Sequence, residues 1–370
     1  MFYKLKDLVI ADGGLLRGPF GGDLKKDIFV KKSETSYKVY EQGTVLNKNA
    51  NIGNYYITDD YFKRKMNKFA VLPGDILVSC SGVNYCAIYL LPANCEKGII
   101  NQALLRIRLN TSIIDKHYFC YLWERILSKK ITQSSGDSTI PNFPPLSTIK
   151  ELTIDIPSLM EQKKLIDLPL CTDELIKINN KKIQVLTNKI KDIYSYNKNT
   201  ILDNQYELLT HKNVSIKVGK YDANHKVDNG PYRFFTCSND AYTCNTYSFN
   251  GKNILIAGNG TLYVKAVNEK FDAYQRTYVI QPNNDDMFAS IYLACIEALN
   301  NLRNKSNGSI IKFITIKMLN EIKIPIFPNK IKNELNVILN YIINLEHQNI
   351  YLYRIRNDIL QRFLLTNLSD

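Results

Sequence analysis

The chain has 370 residues, a formal net charge of +13 and 45% hydrophobic residues. This length and composition can supply one large core or two ordinary ones, and two domains are the better expectation. The eight cysteines form no CxxC pair and lie largely in apolar stretches, which argues against a disulfide framework and is typical of reduced core thiols. The N-terminus carries charges where a signal peptide is apolar, and no 18 consecutive residues are apolar, so we expect a soluble cytoplasmic protein.

The excess positive charge is concentrated in two blocks of the sequence. Residues 1–157 carry a net charge of +6 and residues 206–328 a net charge of +4, whereas residues 158–205 and 329–370 carry only +2 and +1. Basic blocks of this kind favour a polyanionic partner such as nucleic acid.

A long helix is predicted after the first block. Ser158 and Glu161 have the spacing of a capping box, in which each side chain satisfies a free amide at the start of a helix. Pro169 lies inside the pattern and should kink or interrupt the helix. The apolar residues that follow at helical spacing are Leu165, Leu168, Leu175, Val185, Ile190 and Ile193.

The same pattern returns 170 residues later, with Asn329 as the expected cap after Pro328. Asn179 and Asn349 also differ by 170 and lie on the same stripe. About 40 residues at about 1.5 Å each make a rod of about 60 Å, which needs a partner, so we predict that the two helices pair as a coiled coil whose register the asparagines fix. The alternative is two unrelated amphipathic helices that pack on their own domains. The second apolar series is Leu335, Ile338, Leu345, Ile355, Leu360 and Phe363.

The repeat extends into the two basic blocks. Each block has a buried strand, DILVS or NILIA, that runs into a small-residue loop ending at Gly82 or Gly260. Each block then has a helix-like stretch and a polar loop at Gly136 or Gly308. The other matching segments are YKVYEQG with YRFFTCS and NQALLRIRL with YQRTYVIQP, in which Gln102 aligns with Gln275. Each half is therefore predicted to be a mixed α/β domain that feeds one long helix, and the halves should be related by a pseudo-two-fold axis.

Taken in order, these segments resemble the specificity subunits of type I restriction-modification systems. The resemblance rests on LRGPFGGDLKKD (16–27), FAVLPGDILVS, NQALLRIRL and IPSLMEQKKL. It implies an α+β fold with two target recognition domains, residues 1–157 and 206–328, each reading half of a split DNA sequence. Two long antiparallel helices, residues 158–205 and 329–370, would separate them. The second half lacks a GPFGG segment and the Glu-Gln pair of the first helix start.

Candidate DNA contacts are cationic and polar side chains that lie in or near the predicted loops. Cations bind phosphates, whereas amide, guanidinium and hydroxyl groups read base edges. The phosphate candidates are Arg17, Lys25, Lys26, Lys31, Lys32, Lys63, Arg64, Lys65 and Lys68 in the first block and Arg233, Lys252, Lys265 and Arg276 in the second. The readout candidates are Ser81, Asn84, Tyr85, Asn239, Tyr242, Asn259 and Thr261.

The sequence predicts no catalytic or metal site. It has no nucleotide-binding glycine motif and no amino-methyltransferase motif, and its four histidines lack metal-ligand spacing. Asp155, Glu161 and Lys163 resemble the acidic pair and lysine of magnesium nucleases. A magnesium-dependent DNA-processing enzyme is therefore one alternative, although Glu161 is better explained by the capping box. A coiled-coil assembly scaffold is the other alternative, and it leaves the two basic blocks without a role.

The resemblance also implies partners for a chain that has no catalytic group of its own. Two modification subunits that bind S-adenosylmethionine would supply methyl transfer. They would contact the helix starts near Glu161, Gln162, Lys330 and Lys332. A restriction subunit that uses ATP and magnesium is a further expected partner.

Overall fold

The chain folds into two units, and each of the two long helices contributes to both. The computed structural model describes residues 1–82, 84–133, 143–202, 204–260, 262–305 and 313–366. Unit 1 comprises Met1–Glu174 with Tyr353–Asp370, and unit 2 comprises Leu175–Leu352. The predicted loops at Gly136 and Gly308 lie outside the described residues.

The helices range from single turns to rods of about 40 residues. Within the described ranges, none is both long and apolar enough to cross a lipid bilayer. A π-helical turn, Trp123–Leu127, joins the third helix to the fourth. The helices are α1 (Gln42–Leu46), α2 (Asp59–Tyr61), α3 (Lys116–Leu122), α4 (Ser128–Gln133), α5 (Leu146–Lys150), α6 (Leu159–Lys198), α7 (Phe288–Lys305), α8 (Ile316–Asn320) and α9 (Asn329–Thr366).

Unit 1 contains two four-stranded sheets and a strand pair. The first sheet has the order β2-β9-β6-β7 and is antiparallel throughout. The second has the order β4-β3-β8-β5, in which β3 and β8 are parallel, and β1 pairs with β10. The strands are β1 (Phe2–Lys4), β2 (Leu15–Arg17), β3 (Tyr37–Tyr40), β4 (Tyr56–Ile57), β5 (Ala70–Val71), β6 (Ile76–Ser79), β7 (Ile88–Leu90), β8 (Gly98–Ile100), β9 (Leu104–Ile107) and β10 (Thr153–Asp155).

Unit 2 repeats this topology. The sheet β12-β18-β15-β16 corresponds to β2-β9-β6-β7, and β14-β13-β17 corresponds to β4-β3-β8 with the same parallel pair. The pair β11 with β19 corresponds to β1 with β10. The strands are β11 (Tyr206–Leu208), β12 (Val214–Val218), β13 (Tyr232–Phe235), β14 (Tyr242–Cys244), β15 (Lys252–Ala257), β16 (Val264–Asn268), β17 (Phe271–Ala273), β18 (Thr277–Pro282) and β19 (Lys323–Pro325). The predicted α+β fold with two repeated domains is confirmed.

The central strands β6 and β15 carry buried apolar residues on both faces because each strand lies between two cores. In β6, Ile76 and Val78 belong to the apolar cluster around Trp123, whereas Leu77 belongs to the cluster behind β3 and β8. Successive side chains of a strand point to opposite faces, so both faces are buried. Unit 2 does the same with β15, whose residues alternate between two clusters.

Helix α6 begins as predicted. The backbone N–H of Ser158 donates to Glu161 Oε2 at 2.9 Å, and the N–H of Glu161 donates to Ser158 Oγ at 3.4 Å. The helix then runs through Pro169, so the expected interruption is wrong. Pro169 lies on a buried face with Ile166 and Thr172, and packing of that face offsets the hydrogen bond that proline removes.

The buried stripe of α6 agrees with the prediction in its second half, where Ile190 is buried, but is displaced by one residue in its first half. Ile166 and Ile176 are buried, whereas the predicted Leu168, Leu175 and Val185 are 54%, 49% and 66% exposed. The predicted period is right, but adjacent apolar residues, as in Leu175 and Ile176, leave the phase undetermined. In α9 most of the predicted series is buried, although Ile355 is 45% exposed and the side chain of Phe363 is outside the described residues.

The start of α9 differs from the prediction by one residue. The N–H groups of Ile331 and Lys332 both donate to the carbonyl of Pro328, at 3.0 and 3.1 Å. Pro328 therefore holds the cap position expected for Asn329, which is the first helical residue.

The two long helices pair through a buried polar contact. Asn179 Nδ2 donates to Asn349 Oδ1 at 3.0 Å, and these residues are 7% and 6% exposed. Arg356 donates to Asp173 at 2.7 Å. Partner numbers fall along α9 as they rise along α6, so the helices are antiparallel and the two asparagines meet on the seam as predicted. That they fix the register stays a prediction.

The eight cysteines are all free thiols. Cys80, Cys86, Cys244 and Cys295 are buried, whereas Cys171 on α6 is exposed. Cys80, Cys86 and Cys295 belong to the apolar cores, as predicted for core thiols.

Candidate nucleic-acid interface

Three loop segments meet at one end of the sheets in unit 1. The N–H of Cys80, after β6, donates to the carbonyl of Ala103 at 2.8 Å. The N–H of Gly18, after β2, donates to Leu104 at 2.9 Å, and that of Asn101 donates to Tyr40 at 3.0 Å. The turn 101–103 is therefore the centre of a junction that joins the ends of β2, β3 and β6.

Unit 2 builds the same junction with the same bonds. The N–H of Gly258 donates to Arg276 at 2.8 Å, that of Gly219 to Thr277 at 3.0 Å, and that of Tyr274 to Phe235 at 2.8 Å. The three backbone hydrogen bonds of the junction therefore occur at equivalent positions in both units. Gly219 corresponds to Gly18, so the second half keeps the first glycine of the GPFGG segment and lacks the rest.

Glycine is required at this junction because backbone meets backbone. A Cβ atom on Gly18 would lie 1.8 Å from the carbonyl oxygen of Asn101, and one on Gly219 would lie 2.2 Å from that of Tyr274. Gly82 and Gly260, in the loops after β6 and β15, have positive φ angles of 73° and 65° that L side chains rarely adopt.

The predicted readout residues of unit 1 separate into two places. Ser81 is half-buried, and its carbonyl accepts from Gln42 Nε2 at 2.5 Å, so its backbone is part of the junction. Asn84 and Tyr85 line an open groove of about 480 Å³ together with Lys48. These side chains are close in sequence but face different surroundings.

The described readout residues of unit 2 lie in the loops that follow β13 and β15 and at the start of β14. Asn239 is exposed, and its carbonyl accepts from the ammonium group of Lys265. Arg276 is exposed in the central turn, and Asn259 is half-buried in the loop after β15. Tyr242 is 43% exposed at the start of β14. Thr261 lies outside the described residues.

Arg233 is a structural residue, which corrects its assignment as a DNA contact. Its side chain is only 20% exposed and pairs with Glu269, with Nε 2.7 Å from Oε1. In unit 1, fully buried Lys38 lies 3.6 Å from Glu96 at the matching strand positions. Burial works to raise the pKa of Glu269, but the imidazole of His347, 3.6 Å away, and the hydrogen bonds of Arg233 outweigh it, and the pKa is lowered. The pair therefore stays charged inside the unit.

Two other predicted cations of unit 2 also have internal partners. Lys252 lies 2.8 Å from Asp285. Lys265 lies 4.6 Å from the ring centroid of Tyr263, and burial together with the charge of Arg233 lowers its pKa. Arg276 is thus the predicted cation of this unit that the structure leaves exposed to solvent.

The predicted cations of unit 1 fall into paired and unpaired groups. Lys63 and Arg64 lie 2.7 and 2.6 Å from aspartates one turn earlier on their helical segment. Lys32 pairs with Glu96 at 2.6 Å. Among the described residues no ion pair involves Lys25, Lys26 or Lys31, all of which are exposed.

Arg17, Lys65 and Lys68 contact uncharged groups. Arg17 Nε donates to the Gln102 carbonyl at 3.2 Å, which ties it to the central turn of the junction. Lys65 and Lys68 are exposed and lie 5.9 and 4.9 Å from the ring centroids of Tyr61 and Phe69. All three keep their charge near the surface of unit 1.

Phe20 was missed at the sequence level. It follows Gly18 in the loop after β2 and is 88% exposed. The GPFGG pattern could have indicated this exposure. Glycine and proline favour a loop, and a phenylalanine in a loop is exposed more readily than one in a strand or helix.

Gln162 is an internal anchor, which corrects its assignment as a partner contact. Its side chain is fully buried, its Oε1 accepts from the Asp115 N–H at 2.8 Å, and its Nε2 donates to the carbonyls of Ile113 and Pro157. These bonds join the start of α6 to the start of α3.

Asn336 is the corresponding internal anchor of unit 2, and it was not predicted from the sequence. Its Oδ1 accepts from the N–H of Ala289 at 3.0 Å and its Nδ2 donates to the carbonyl of Asp286 at 2.7 Å. It therefore joins α9 to the start of α7, one turn further along the helix than the position equivalent to Gln162.

The remaining residues predicted to bind partners lie at the surface. Lys330 is exposed and Lys332 is half-buried. Glu161 is exposed at the rim of an open cavity of about 400 Å³, which Ser112, Ile113 and neighbouring residues line. These three stay predictions.

The two carboxylates of the magnesium-nuclease lookalike have contacts within the chain. Asp155 accepts from the amino group of Met1 at 2.5 Å, and Glu161 is held by Ser158 in the capping box. The hydrogen bonds of Ser158 lower the pKa of Glu161. Each carboxylate therefore has a separate structural partner.

Comparisons with known proteins agree with this architecture. The model of the type I restriction modification DNA specificity domain matches residues 21–188 and again residues 187–351. A segment of 69 residues is 44% identical to the type I restriction enzyme EcoDI specificity subunit of Escherichia coli, and it spans 19% of this chain and only 16% of that relative.

A similar fold occurs in the crystal structure of the type I restriction-modification system S subunit from M. genitalium. The TM-score is 0.61 at 16% identity, with 97% of this chain and 94% of that chain covered. At this identity the likeness concerns the fold alone. Because two copies of the specificity domain cover most of its length, the chain belongs to the type I restriction-modification specificity subunits.

Proposed function

We propose that this chain reads a split sequence in double-stranded DNA, with one half read by each unit, and that it contributes no catalytic group. The observation that carries the proposal is the repeated junction, which has the same three backbone hydrogen bonds in each unit but different exposed side chains around it. A constant backbone with variable polar side chains is what reading two unlike half-sites requires.

Affinity would come from the exposed lysines. Cations that neutralise phosphates release condensed counterions, which supplies a large part of the binding free energy of proteins on DNA. Lys25, Lys26 and Lys31 suit this role because they are exposed and form no ion pair with a described residue. Lys63 and Arg64 would first have to leave their aspartates.

Sequence readout would come from the rim of each junction. A guanidinium such as that of Arg276 can contact guanine O6 and N7 in the major groove, and an amide such as that of Asn239 can contact adenine N6 and N7. In unit 1 Ser81 borders the junction, whereas Asn84 and Tyr85 would read bases from the separate groove that they line. Exposed Phe20, in the loop after β2, offers an apolar contact.

The paired helices α6 and α9 would set the number of unread bases between the half-sites. The buried pair of Asn179 and Asn349 fixes their register, so the spacing would not drift. Inserting seven residues at matching points of both helices should lengthen the unread gap and leave both half-sites unchanged. An unchanged gap in the motif of the insertion variant would remove this spacer role.

Methyl transfer would be supplied by partner proteins. We propose that two modification subunits that bind S-adenosylmethionine contact the helix starts near Glu161, Lys330 and Lys332, which lie at the surface. A restriction subunit using ATP and magnesium would join the same assembly. No observation favours the alternatives of a magnesium-dependent enzyme or a pure scaffold.

The test is methylation-sensitive sequencing of DNA from a methylation-free host that expresses this chain with its modification subunit. We expect a motif of two short sequences around an unread gap, methylated only when both proteins are present. Methylation without this chain, or a contiguous motif, would contradict the proposal.

A further inference from the structure

Three side chains with metal-binding chemistry meet in unit 2. His225 lies in the 3-10 turn Ala223–His225, Cys244 ends β14 and Asp272 is the middle residue of β17. His225 Nε2 is 3.0 Å from Asp272 Oδ2, and Cys244 Sγ is 3.9 Å from the same oxygen. All three ligand atoms lie within 4.8 Å of one another.

The carboxylate in this cluster is buried and incompletely satisfied. The side chain of Asp272 is 0% exposed. Its Oδ2 accepts from Thr246 Oγ1 at 2.7 Å, but its Oδ1 makes no hydrogen bond with any described residue. No lysine or arginine of the described chain forms an ion pair with it. Burial of an ionised group at this depth is costly without a compensating charge.

Unit 1 shows that the fold does not need a polar group here. The strand register matches Asp272 with Ile99 and Cys244 with Ile57. Both isoleucines are 0% exposed in an apolar cluster. Unit 2 therefore has a carboxylate and a thiol where the same framework packs two isoleucines, so a reason specific to unit 2 is needed.

A divalent cation supplies such a reason. Zinc takes thiolate, imidazole and carboxylate ligands at bond lengths of about 2.0 to 2.3 Å, which places tetrahedral ligand atoms about 3.3 to 3.7 Å apart. The separations of 3.0 and 3.9 Å from Asp272 Oδ2 bracket that range, so small side-chain shifts would complete the geometry. One thiolate and one carboxylate balance the two positive charges of the ion.

We propose that His225, Cys244 and Asp272 form a structural zinc site. The fourth position would be taken by the hydroxyl of Thr246, which is 3.1 Å from His225 Nε2, or by water. Burial and the charge of Asp272 raise the pKa of the Cys244 thiol, so the thiol is protonated without metal. Zinc binding then forms the Zn–S bond and releases that proton to solvent.

The site would join three separate elements of unit 2. It links the turn at His225 to β14 and β17, at the base of the hairpin formed by β13 and β14. The loop of that hairpin carries Asn239, a proposed readout residue. The effect on DNA reading rests on the proposed function, whereas zinc binding itself does not.

The test uses the untagged full chain, stripped of metal with a chelator and then titrated with Zn²⁺ or Co²⁺. We expect one ion per chain and, with Co²⁺, a thiolate-to-metal charge-transfer band. Cys244→Ser should lose the band, and His225→Gln should weaken binding by at least about tenfold, since even indirect changes around a metal site cost that much. Cys237→Ser, a half-buried cysteine outside the cluster, is the matched control and should keep both.

Stability gives a second readout that does not depend on DNA. Zn²⁺ should raise the thermal midpoint of the wild type and of Cys237→Ser, and should leave that of Cys244→Ser unchanged. His225→Gln, at a partly exposed side chain, serves if Cys244→Ser fails to fold. The proposal is overturned if the wild type binds no stoichiometric ion, or if the Cys244→Ser or His225→Gln variant binds metal as well as the control does. The cluster would then be a hydrogen-bonded polar network only.

Discussion

The two units share a backbone framework but differ in what they bury behind it. Unit 1 fills the layer of β3, β4 and β8 with isoleucines, such as Ile57 and Ile99, and one buried lysine. Unit 2 places Cys244 and Asp272 at the matching positions. The framework is set by strand order and by the backbone bonds of the junction, which do not depend on these side chains. Side chains are therefore free to diverge between the units.

The surfaces diverge more than the cores. The loop after β2 in unit 1 presents Phe20 between glycines, whereas unit 2 retains only Gly219 from that pattern. Unit 2 exposes Arg276 at the position that Ala103 holds in unit 1. Under the proposed function, such differences would let the two units recognise unlike sequences.

The largest effect should come from breaking the repeated ion pair. Arg233→Ala leaves Glu269 without its main cation, whereas Lys38→Ala leaves Glu96 paired with Lys32 but removes the buried donor to the Ala50 carbonyl. Removing one partner of a buried pair costs about 3 kcal/mol, so each variant should destabilise its own unit. Hydrogen exchange measured by mass spectrometry identifies which unit opens.

Arg276→Ala is the control for that experiment. Arg276 is exposed, so its removal should change the free energy of unfolding by less than about 0.5 kcal/mol. If Arg233→Ala proved as stable as the wild type, the structural role of Arg233 would be wrong.

The next effect tests the equivalence of two glycines. Gly18→Ala and Gly219→Ala each drive a Cβ atom into a backbone carbonyl, at 1.8 and 2.2 Å. Each should lose about 1 to 3 kcal/mol of stability, as overpacking typically does. Gly22→Ala, whose Cβ would meet nothing within 4 Å, should be near neutral. Denaturant titration gives all three values, and a neutral Gly219→Ala would end the claimed correspondence.

A smaller effect concerns the seam, where the two halves carry the same residue. Asn179→Leu leaves the buried Oδ1 of Asn349 without its donor and should cost about 1 to 3 kcal/mol. The double replacement of both asparagines by leucine should cost less than either single one, because no polar group is stranded. A double-mutant cycle by denaturant unfolding measures this, and additive losses would contradict it.

The smallest effect separates free from paired cations in unit 1. The double variant Lys25→Ala/Lys26→Ala should lower the salt dependence of binding to mixed-sequence duplex DNA, by about 0.9 in logarithmic slope for each phosphate that the protein no longer neutralises. Lys63→Ala/Arg64→Ala should change the slope less, because Asp59 and Asp60 already neutralise these cations. Equal slopes for the two double variants would show that the ion pairs do not limit DNA binding.

Much of the fold could be predicted because the sequence contains an internal repeat. The offset of 170 residues predicted two rods, and the capping box of Ser158 with Glu161 placed the first helix start within a residue. Asn179 and Asn349 were identified because polar residues on an apolar stripe imply a register. The buried face in the first half of α6 was predicted wrongly, because Leu175 and Ile176 fit the same helical period equally well.

The candidate site was harder to predict, because the neighbours of each side chain in the folded structure determine whether it is paired or exposed. Arg233 and Arg276 are both arginines of the second basic block. Only the folded structure shows that Arg233 pairs with Glu269. Asp272 and Cys244 lie 28 residues apart on different strands, so no spacing rule could bring them together. The residues that bind DNA therefore stay predictions.

The central claim is that each unit reads its own half of a split target. The most direct measurement compares the methylated motif of the wild-type complex with that of complexes carrying Arg276→Ala or Asn84→Ala, by methylation-sensitive sequencing. The account predicts that Arg276→Ala relaxes bases in one half only and that Asn84→Ala relaxes bases in the other half only. Loss of specificity in both halves from either single variant, or in the same half from both, would contradict it.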